Sequence, residues 1–490
     1  MSSSKGYKEF SKGMSTAIAT PGRALTLVRP ETHRMKRLHL HPLWIVVPVA
    51  LLIRLIVATL IFRDMASPAG HYQDFGQEVG WIARSIALGH GFSSPFFPQT
   101  GPTAMLPPLY PFLLSLIFRV FGVYTAKSAL AALALNSLFS SVTCIPIYFA
   151  AQYATNSAQG ACNSNSKLAK FAAWAWAVYP FAIYFSAARV WEYALTSLLL
   201  TTCFLVAQRL HPYHPRLAWL GFGLLFGITA LSNPAVLLLF PFFLFFALWR
   251  LHRNRTAWLQ KALLTLVGLL AILAPWTARN YRTMHVFCLV RDNFWEEFWA
   301  GNTGDTSSPM PGWTHPASDD AEMKIYQASG EVAYIVHKHD LAVDFIDHHK
   351  LFFAKLTLRR AAYIWTGFWS LDPSYVHSEP FQFPNIFFCT GLTVLMLFGA
   401  RSWWRTDRRL ALPYLTAIFV FPLTYYISHP LMDYRQPIEP EIVMVVVMGL
   451  FELQRKFSSR AHNNDLSLVE FAPEETEDLV AVAMELTPIT

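Results

Sequence analysis

Charge is scarce in this 490-residue chain: Asp, Glu, Lys and Arg make up 14% of it, against 54% hydrophobic residues. A soluble domain of this size carries about 25% charge, so the deficit excludes a water-soluble globule. Cysteine is also sparse. The five, at 144, 162, 203, 288 and 389, show no pairing or metal-ligand spacing, and most sit in apolar runs as packing residues. No G-x-x-x-x-G-K-[ST], no dinucleotide loop and no H-E-x-x-H occurs, which argues against an ATP-driven machine and a zinc protease. There is no internal repeat, and no pair of Gly/Pro-broken spans at matching positions, the pattern that points to a transporter site. The net charge of +8 does not imply nucleic acid, because residues 1–42 hold eight Lys or Arg against Glu9 and Glu31.

What is present is apolar and aromatic, with 39 Phe and 16 Trp. Several runs approach the roughly 20 apolar residues that cross a bilayer. The fold class is therefore an all-α polytopic membrane protein with about ten or more transmembrane helices. Candidate spans are 43–62, 128–152, 171–187, 189–208, 216–232, 235–250, 260–278, 385–400, 410–427 and 437–452. "HPLWIVVPVALLIRLIVATLIF" is too long and its flank too basic for a cleaved leader. Basic clusters at Lys167 and Lys170, Arg209 and Arg216, Arg250 to Lys261, and Arg401 to Arg409 mark cytoplasmic connections. The parity works, with both termini inside, if "LPPLYPFLLSLIFRVFG" (106–122) lies along the outer interface as a juxtamembrane helix started by Pro107 and Pro108.

This organisation gives a basic cytoplasmic tail (1–42) and an N-terminal membrane module (43–278) with a first outer loop at 63–127. A large extracytoplasmic loop (279–384), C-terminal spans (385–452) and an acidic cytoplasmic tail (453–490) follow. Residues 280–384 carry 13 carboxylates against eight Lys or Arg, and the last 38 residues hold seven carboxylates.

Four short stretches carry groups that chemistry needs. In "HYQDFGQEVG" (71–80), Asp74 and Glu78 are four apart and share a face if 74–88 is helical; Phe75, Val79, Ile82 and Ile86 form its apolar stripe and Gly89 its stop. This is either a solvated acid pair or a general base, with Asp74 kept ionised by the free amides of the first turn. In "FSAARVWEYALTSLLL", Arg189 and Glu192 sit where the chain re-enters the membrane, as a structural ion pair or as a site acid set against Asp74. "PWTARNYR" ends a span with Arg279 and Arg282, and "YYISHPLMDYRQPIEPEI" crowds His429, Asp433, Tyr434, Arg435 and Glu439 into one turn. Arginines on the outer side need a local cause: an anionic headgroup or phosphate leaving group, or an Arg–carboxylate clamp. His337, His339, His348 and His349 read as scattered surface histidines, with His348, His349 and Lys350 able to contact a phosphate.

The outer-loop acid, "PPLYPF", "PWTARNYR" and "DYRQPIEP", in this order, resemble bacterial polyprenyl-phosphate-dependent glycosyltransferases of the GT-C class, the dolichyl-phosphate-mannose protein mannosyltransferase and aminoarabinose transferase-like group. The resemblance runs from about residue 40 to 455. It implies a GT-C fold and transfer of a sugar, with inversion, from a polyprenyl-phosphate-sugar donor to a lipid, glycan or protein acceptor. It puts the site on the extracytoplasmic face of the inner (plasma) membrane. Asp74 falls on the expected base and Glu192 on the outer-end acid of the hairpin, so these two are the implied catalytic residues. Lys127 matches a basic residue heading the next span, and Arg435 the arginine near the donor phosphate. Glu78, Arg189, Arg279, Arg282 and Tyr434 complete the implied substrate-binding set. Many relatives have adjacent Asp and Glu, whereas Phe75 follows Asp74 here and the next acid is Glu78. No cofactor and no nucleic-acid partner are expected, and a divalent metal stays open because two carboxylates could converge. The competing readings are a glycan ligase or polymerase using a pyrophosphate-linked carrier, and a lipid-linked sugar transporter. The latter would place ionisable groups at span centres, where Arg54 is the exception.

Overall fold

A computed structural model describes residues 41–65, 75–96, 99–159, 165–210, 214–253, 258–378 and 382–470. Among them regular structure is helical, apart from an isolated bridge between Ser93 and Pro102. The first long run forms α1 (Leu43–Met65). The first loop carries α2 (Gln77–Ala87) and α3 (Leu109–Phe121). The N-terminal bundle continues through α4 (Ala126–Val142), α5 (Cys144–Gln159), α6 (Asn165–Ala177), α7 (Pro180–Ala188) and α8 (Tyr193–Arg209). It closes with α9 (Arg216–Ser232), α10 (Phe240–Arg253) and α11 (Trp258–Met284). The large loop folds as α12 (Phe294–Gly301), α13 (Asp320–Ser329), α14 (Glu331–His348), α15 (Lys350–Thr366) and α16 (Pro373–Ser378). The C-terminal part is α17 (Gln382–Thr406), α18 (Arg408–Val420), α19 (Leu423–Ile427) and α20 (Glu439–Glu470).

Five helical stretches among the described residues are long and apolar enough to cross a membrane, or six if α6 and α7 count as one bent span. The sequence reading expected about ten, and the difference has a physical origin. α8 and α9 are 17 residues each, just under the roughly 20 that cross a bilayer. The run at 235–250 is divided between a 3₁₀ turn, Pro234–Leu239, and α10. The stretch at 106–122 gives α3, 13 residues started at Pro108. That is too short to cross, as the juxtamembrane reading requires. Its Phe112, Leu116, Val120 and Phe121 are exposed while Tyr110, Leu114 and Phe118 are buried.

Apolar side chains face outward as well as inward. On α1, Trp44, Ile45, Leu52, Ile56 and Leu60 are exposed, while Val46, Ala50 and Ala58 are buried. A helix that is apolar all round fits lipid rather than water. Inside, small residues set the spacing: a Cβ on Gly223 would strike the Thr265 carbonyl of α11, and one on Gly268 the Leu220 carbonyl of α9. The two backbones therefore touch, the packing mode favoured where lipid supplies no hydrophobic drive.

Among the described residues α2 begins at Gln77, where Gly76 and Gln77 both take positive φ, 80° and 45°, and turn the chain into the helix. Val79, Ile82 and Ile86 are buried in the helix and Phe75 just before it, as the stripe requires. Glu78 is buried with them, contrary to a solvated acid pair. Asp74 lies outside the described residues.

Candidate functional site

One end of the bundle gathers the turn before α8, the Pro234–Leu239 turn, the start of the large loop and the segment from α19 to a second 3₁₀ turn, Met432–Ile438. Between them is a cavity of about 410 Å³, within the usual range for small-molecule sites. Its polar wall holds Glu192, Asn233, Arg291, Glu297, Ser428 and His429; its aromatic wall holds Trp191, Tyr193, Phe294, Tyr425 and Tyr434.

The polar groups are aimed by local chain logic. Glu192 precedes the first residue of α8, is only 7% exposed, and stands at the positive end of the helix dipole. Asn233 ends α9 and caps the following turn, its Oδ1 accepting from the Ala235 amide at 3.0 Å. That bond fixes the side-chain amide, whose Nδ2 donates to Glu192 Oε1 at 3.4 Å. His429 is oriented in the same way. Its Nδ1 lies 3.1 Å from the Glu297 carbonyl oxygen, and a carbonyl only accepts, so Nδ1 carries hydrogen. Nε2 is then left to accept from the Tyr434 hydroxyl at 2.8 Å, with Glu297 Oε2 at 3.3 Å. Burial pushes His429 below the usual histidine range, which keeps it neutral in this arrangement. Gly301 makes the approach of α12 possible, because a Cβ there would collide with the Ser428 carbonyl. Arg360, wholly buried, pins the same junction by donating to the carbonyls of Gly301 and Ile427.

A second cavity, of about 440 Å³, adjoins the same segments. It is apolar and aromatic, walled by Phe181, Tyr184 and Phe185 of α7, by Tyr363 and Tyr375, and by Phe388 of α17. Phe181 and Phe388 stack with centroids 5.1 Å apart. Its charged members are Arg189 and Asp433. Burial pushes the Asp433 carboxyl up and Arg189 pulls it back. Residues 189–193 and 431–434 thus contribute to both cavities.

Of the residues singled out by sequence, Glu192, His429 and Tyr434 line the polar cavity and Arg189 and Asp433 the apolar one. No Arg189–Glu192 ion pair forms among the described residues; Arg189 is exposed. Arg435 is buried and paired with Glu439, which also accepts from Tyr179 at 2.6 Å, and Arg435 donates to the Ile364 carbonyl at 2.8 Å. It lines neither cavity and fits the clamp reading. Arg279 is a clamp too, bonding the Thr103 and Phe92 carbonyls at 2.6 Å each and lying over the rings of Trp276 and Phe92. Arg282 and Lys127 are exposed. Arg291, Glu297 and Asn233 were not read from sequence; the signal for the first two was "VRDNFWEEFW", an arginine and an acid pair among aromatics just after a span.

Glu78 belongs to a separate buried cluster. The Ala317 amide donates to His315 Nδ1 at 3.1 Å, and His315 Nε2 faces Glu78 and Glu296 at 3.5 Å each. Burial alone would lower His315, but Glu296 and Glu78 outweigh it and the net shift is upward. Burial raises Glu78, and raises Glu296 to about 8. The cluster ties α2 to α12 and the loop before α13. Among the described residues, no group of three or more His, Cys, Asp or Glu side chains could hold a metal ion.

No family model matches the sequence, and no curated protein does. Among solved structures, the chain is similar to the archaeal oligosaccharyltransferase AglB from Archaeoglobus fulgidus in complex with an inhibitory peptide and a dolichol-phosphate. The identity is 13%, over 89% of this chain and 54% of that one, at a TM-score of 0.47. The apo form of the Archaeoglobus fulgidus oligosaccharyltransferase gives 11% identity over 86% and 52%, at 0.48. ArnT from Cupriavidus metallidurans bound to undecaprenyl phosphate gives 14% over 82% and 77%, at 0.32. The chain spans about half the length of the two oligosaccharyltransferase chains.

Proposed function

We propose that this protein is a membrane glycosyltransferase of the GT-C class that moves a sugar from a polyprenyl-phosphate donor to a lipid, glycan or protein acceptor on the extracytoplasmic face. One observation carries the reading: an aromatic-walled apolar cavity and a polar cavity share the short segments 189–193 and 431–434. A lipid-linked sugar has the same two-part chemistry, an isoprenoid chain and a hydroxylated ring joined by a phosphate. In this reading the chain's end lies among Phe181, Phe185 and Phe388, the phosphate meets Arg189, and the sugar lies between the aromatic wall and Glu192.

In the proposed step the acceptor oxygen attacks the anomeric carbon and forms the new bond. The carbon–oxygen bond to phosphate breaks with its electron pair on the phosphate, and the acceptor proton passes to a carboxylate. Attack opposite the leaving group inverts the centre. Asp74 is one proposed base, from the family resemblance; Glu192, one of two carboxylates lining the polar cavity with Glu297, is the second. A cation beside the leaving phosphate gains strength in a semi-dry cleft.

Purified protein in nanodiscs, given synthetic polyprenyl-phosphate sugars and a membrane extract as acceptor, tests the reading. Donor consumption by wild type and its loss in Asp74→Asn or Glu192→Gln supports it. Turnover with pyrophosphate-linked donors alone would replace it with the ligase reading.

A further inference from the structure

α1 carries Arg54 in the middle of a 23-residue apolar helix, with no exposure. A charge at that depth is costly and marks a function unless its partners explain it. The partners of this guanidinium are neutral. Nη1 donates to the Ala177 carbonyl at 2.8 Å, Nη2 to the Trp176 carbonyl at 3.1 Å, and Nε to Ser140 Oγ at 2.9 Å.

Those two carbonyls close α6. In an unbroken helix the Trp176 carbonyl would accept from the amide of residue 180, but residue 180 is proline and has no N–H; it takes the Tyr179 amide at 3.2 Å instead and shares its oxygen with Arg54, while the break leaves the Ala177 carbonyl to the guanidinium. The chain instead breaks at Val178–Tyr179 and restarts as α7, bent by 42°. Inside a bilayer each orphaned backbone group must be satisfied by protein, and the carbonyl end of a helix favours a cation. Arg54 meets both needs. Ser140, which receives its Nε, lies 3.4 Å from the Ala182 carbonyl on the second limb, and its own carbonyl accepts from Trp176 Nε1 at 2.7 Å. The buried arginine therefore braces the break on both sides.

The second limb is the one that matters to the site. α7 supplies Phe181, Tyr184 and Phe185 to the apolar cavity and ends at Arg189, with Glu192 three residues further on. We propose that Arg54 is a positioning residue: it supplies donors to the two carbonyls at the broken end of α6, fixes the bend, and so sets where α7 presents the lipid-binding face and Arg189. The part concerning lipid rests on the function proposed above.

The test uses the full chain in nanodiscs, with its five cysteines replaced and spin labels at Phe171 and Tyr184, exposed positions on the two limbs. Arg54→Met lengthens and broadens the label distance, and Arg54→Lys gives an intermediate result, because an ammonium cannot reach three acceptors in the fork geometry of a guanidinium. Adding Pro180→Ala to Arg54→Met restores an amide for Trp176 and straightens the span; should Arg54→Met alone fail to assemble, this pair and Arg54→Lys carry the test. In parallel, on protein that keeps Tyr184 and carries no label, the affinity for undecaprenyl phosphate, without sugar, falls about tenfold in Arg54→Met and less in Arg54→Lys, the size expected for losing hydrogen bonds to a charged donor. An unchanged label distance overturns the proposal, as does a changed distance with unchanged affinity. Wild-type protein that binds no undecaprenyl phosphate refutes the ligand proposed for the cavity, and Arg54's part in presenting it, whatever the labels show.

Discussion

Replacing Glu192 by glutamine separates chemistry from folding. The substitution keeps shape and volume but leaves a side chain that can neither take up nor release a proton. The folded chain loses little: the side-chain bond to Glu192 Oε1 comes from Asn233 at 3.4 Å, beyond the usual 2.7–3.2 Å of an N–H···O bond. A neutral amide is also less costly to bury than a carboxylate. Melting temperature should therefore stay level or rise. Activity should not. If Glu192 only accepts a substrate hydroxyl, loss of one charge-assisted hydrogen bond costs about 1.5–3 kcal/mol, or roughly 10- to 150-fold in kcat/KM. If it also takes the acceptor's proton, the loss reaches about 10²–10⁴-fold and appears in kcat. The assay is release of labelled sugar from a polyprenyl-phosphate donor in nanodiscs, with Asn233→Ala as a companion that alters the carboxylate's aim without removing it. Equal turnover by wild type and Glu192→Gln, at equal thermal stability, would refute Glu192 as a base or substrate-binding acid.

Acidity should stabilise the loop cluster. Glu78 and Glu296 are raised above the ordinary 4.5, Glu296 to about 8, so the folded chain holds protons that the unfolded chain has released. That stability is complete below about 4.5 and is lost as pH climbs through the folded values; His315, raised above 6.5, has the same sign. Thermal unfolding should therefore come earlier at pH 9 than at pH 6, and Glu296→Gln should flatten the trend; a rise with pH would contradict it. Arg279→Ala removes two carbonyl bonds and two ring contacts, at a cost of about 2–4 kcal/mol. It should show as faster amide exchange across residues 92–96 and 99–104 with the membrane helices unchanged. Phe388→Ala opens the stacked pair with Phe181 and should weaken binding of a polyprenyl phosphate by about 1.5–3 kcal/mol, with a smaller effect on a short-chain analogue; equal losses for both would place the chain elsewhere.

The membrane architecture was legible because an apolar run has few alternatives, and α1, α11 and α17 appear where the runs stand. Span count was less so, since "AVYPF" shows a proline without showing whether the chain stops or bends there. At the site, Glu192, Arg189 and Tyr434 stood out as polar residues in short turns between apolar runs. Arg291 and Glu297 did not, because their return to the bundle depends on Gly301 fitting against Ser428, a contact with no trace in local pattern. Arg435 looked available for a phosphate, yet Glu439 stands four residues later, the spacing at which helical neighbours pair, and the pair forms. Arg54 looked like a transporter's buried charge until the carbonyls at the broken end of α6 accounted for it as acceptors.

Because Arg189 is separated from Trp191 by one residue, and Asp433 is followed directly by Tyr434, the two cavities are divided by little more than the thickness of a backbone. A substitution that reshapes one side must shift its sequence neighbour on the other. Under the proposed function, lipid preference and sugar preference would be inherited together, and a variant selected for a different isoprenoid would arrive with an altered taste in sugars. A rigid ligand with an aromatic arm in one chamber and a polyol in the other would meet few single mutations able to exclude it without reshaping both chambers.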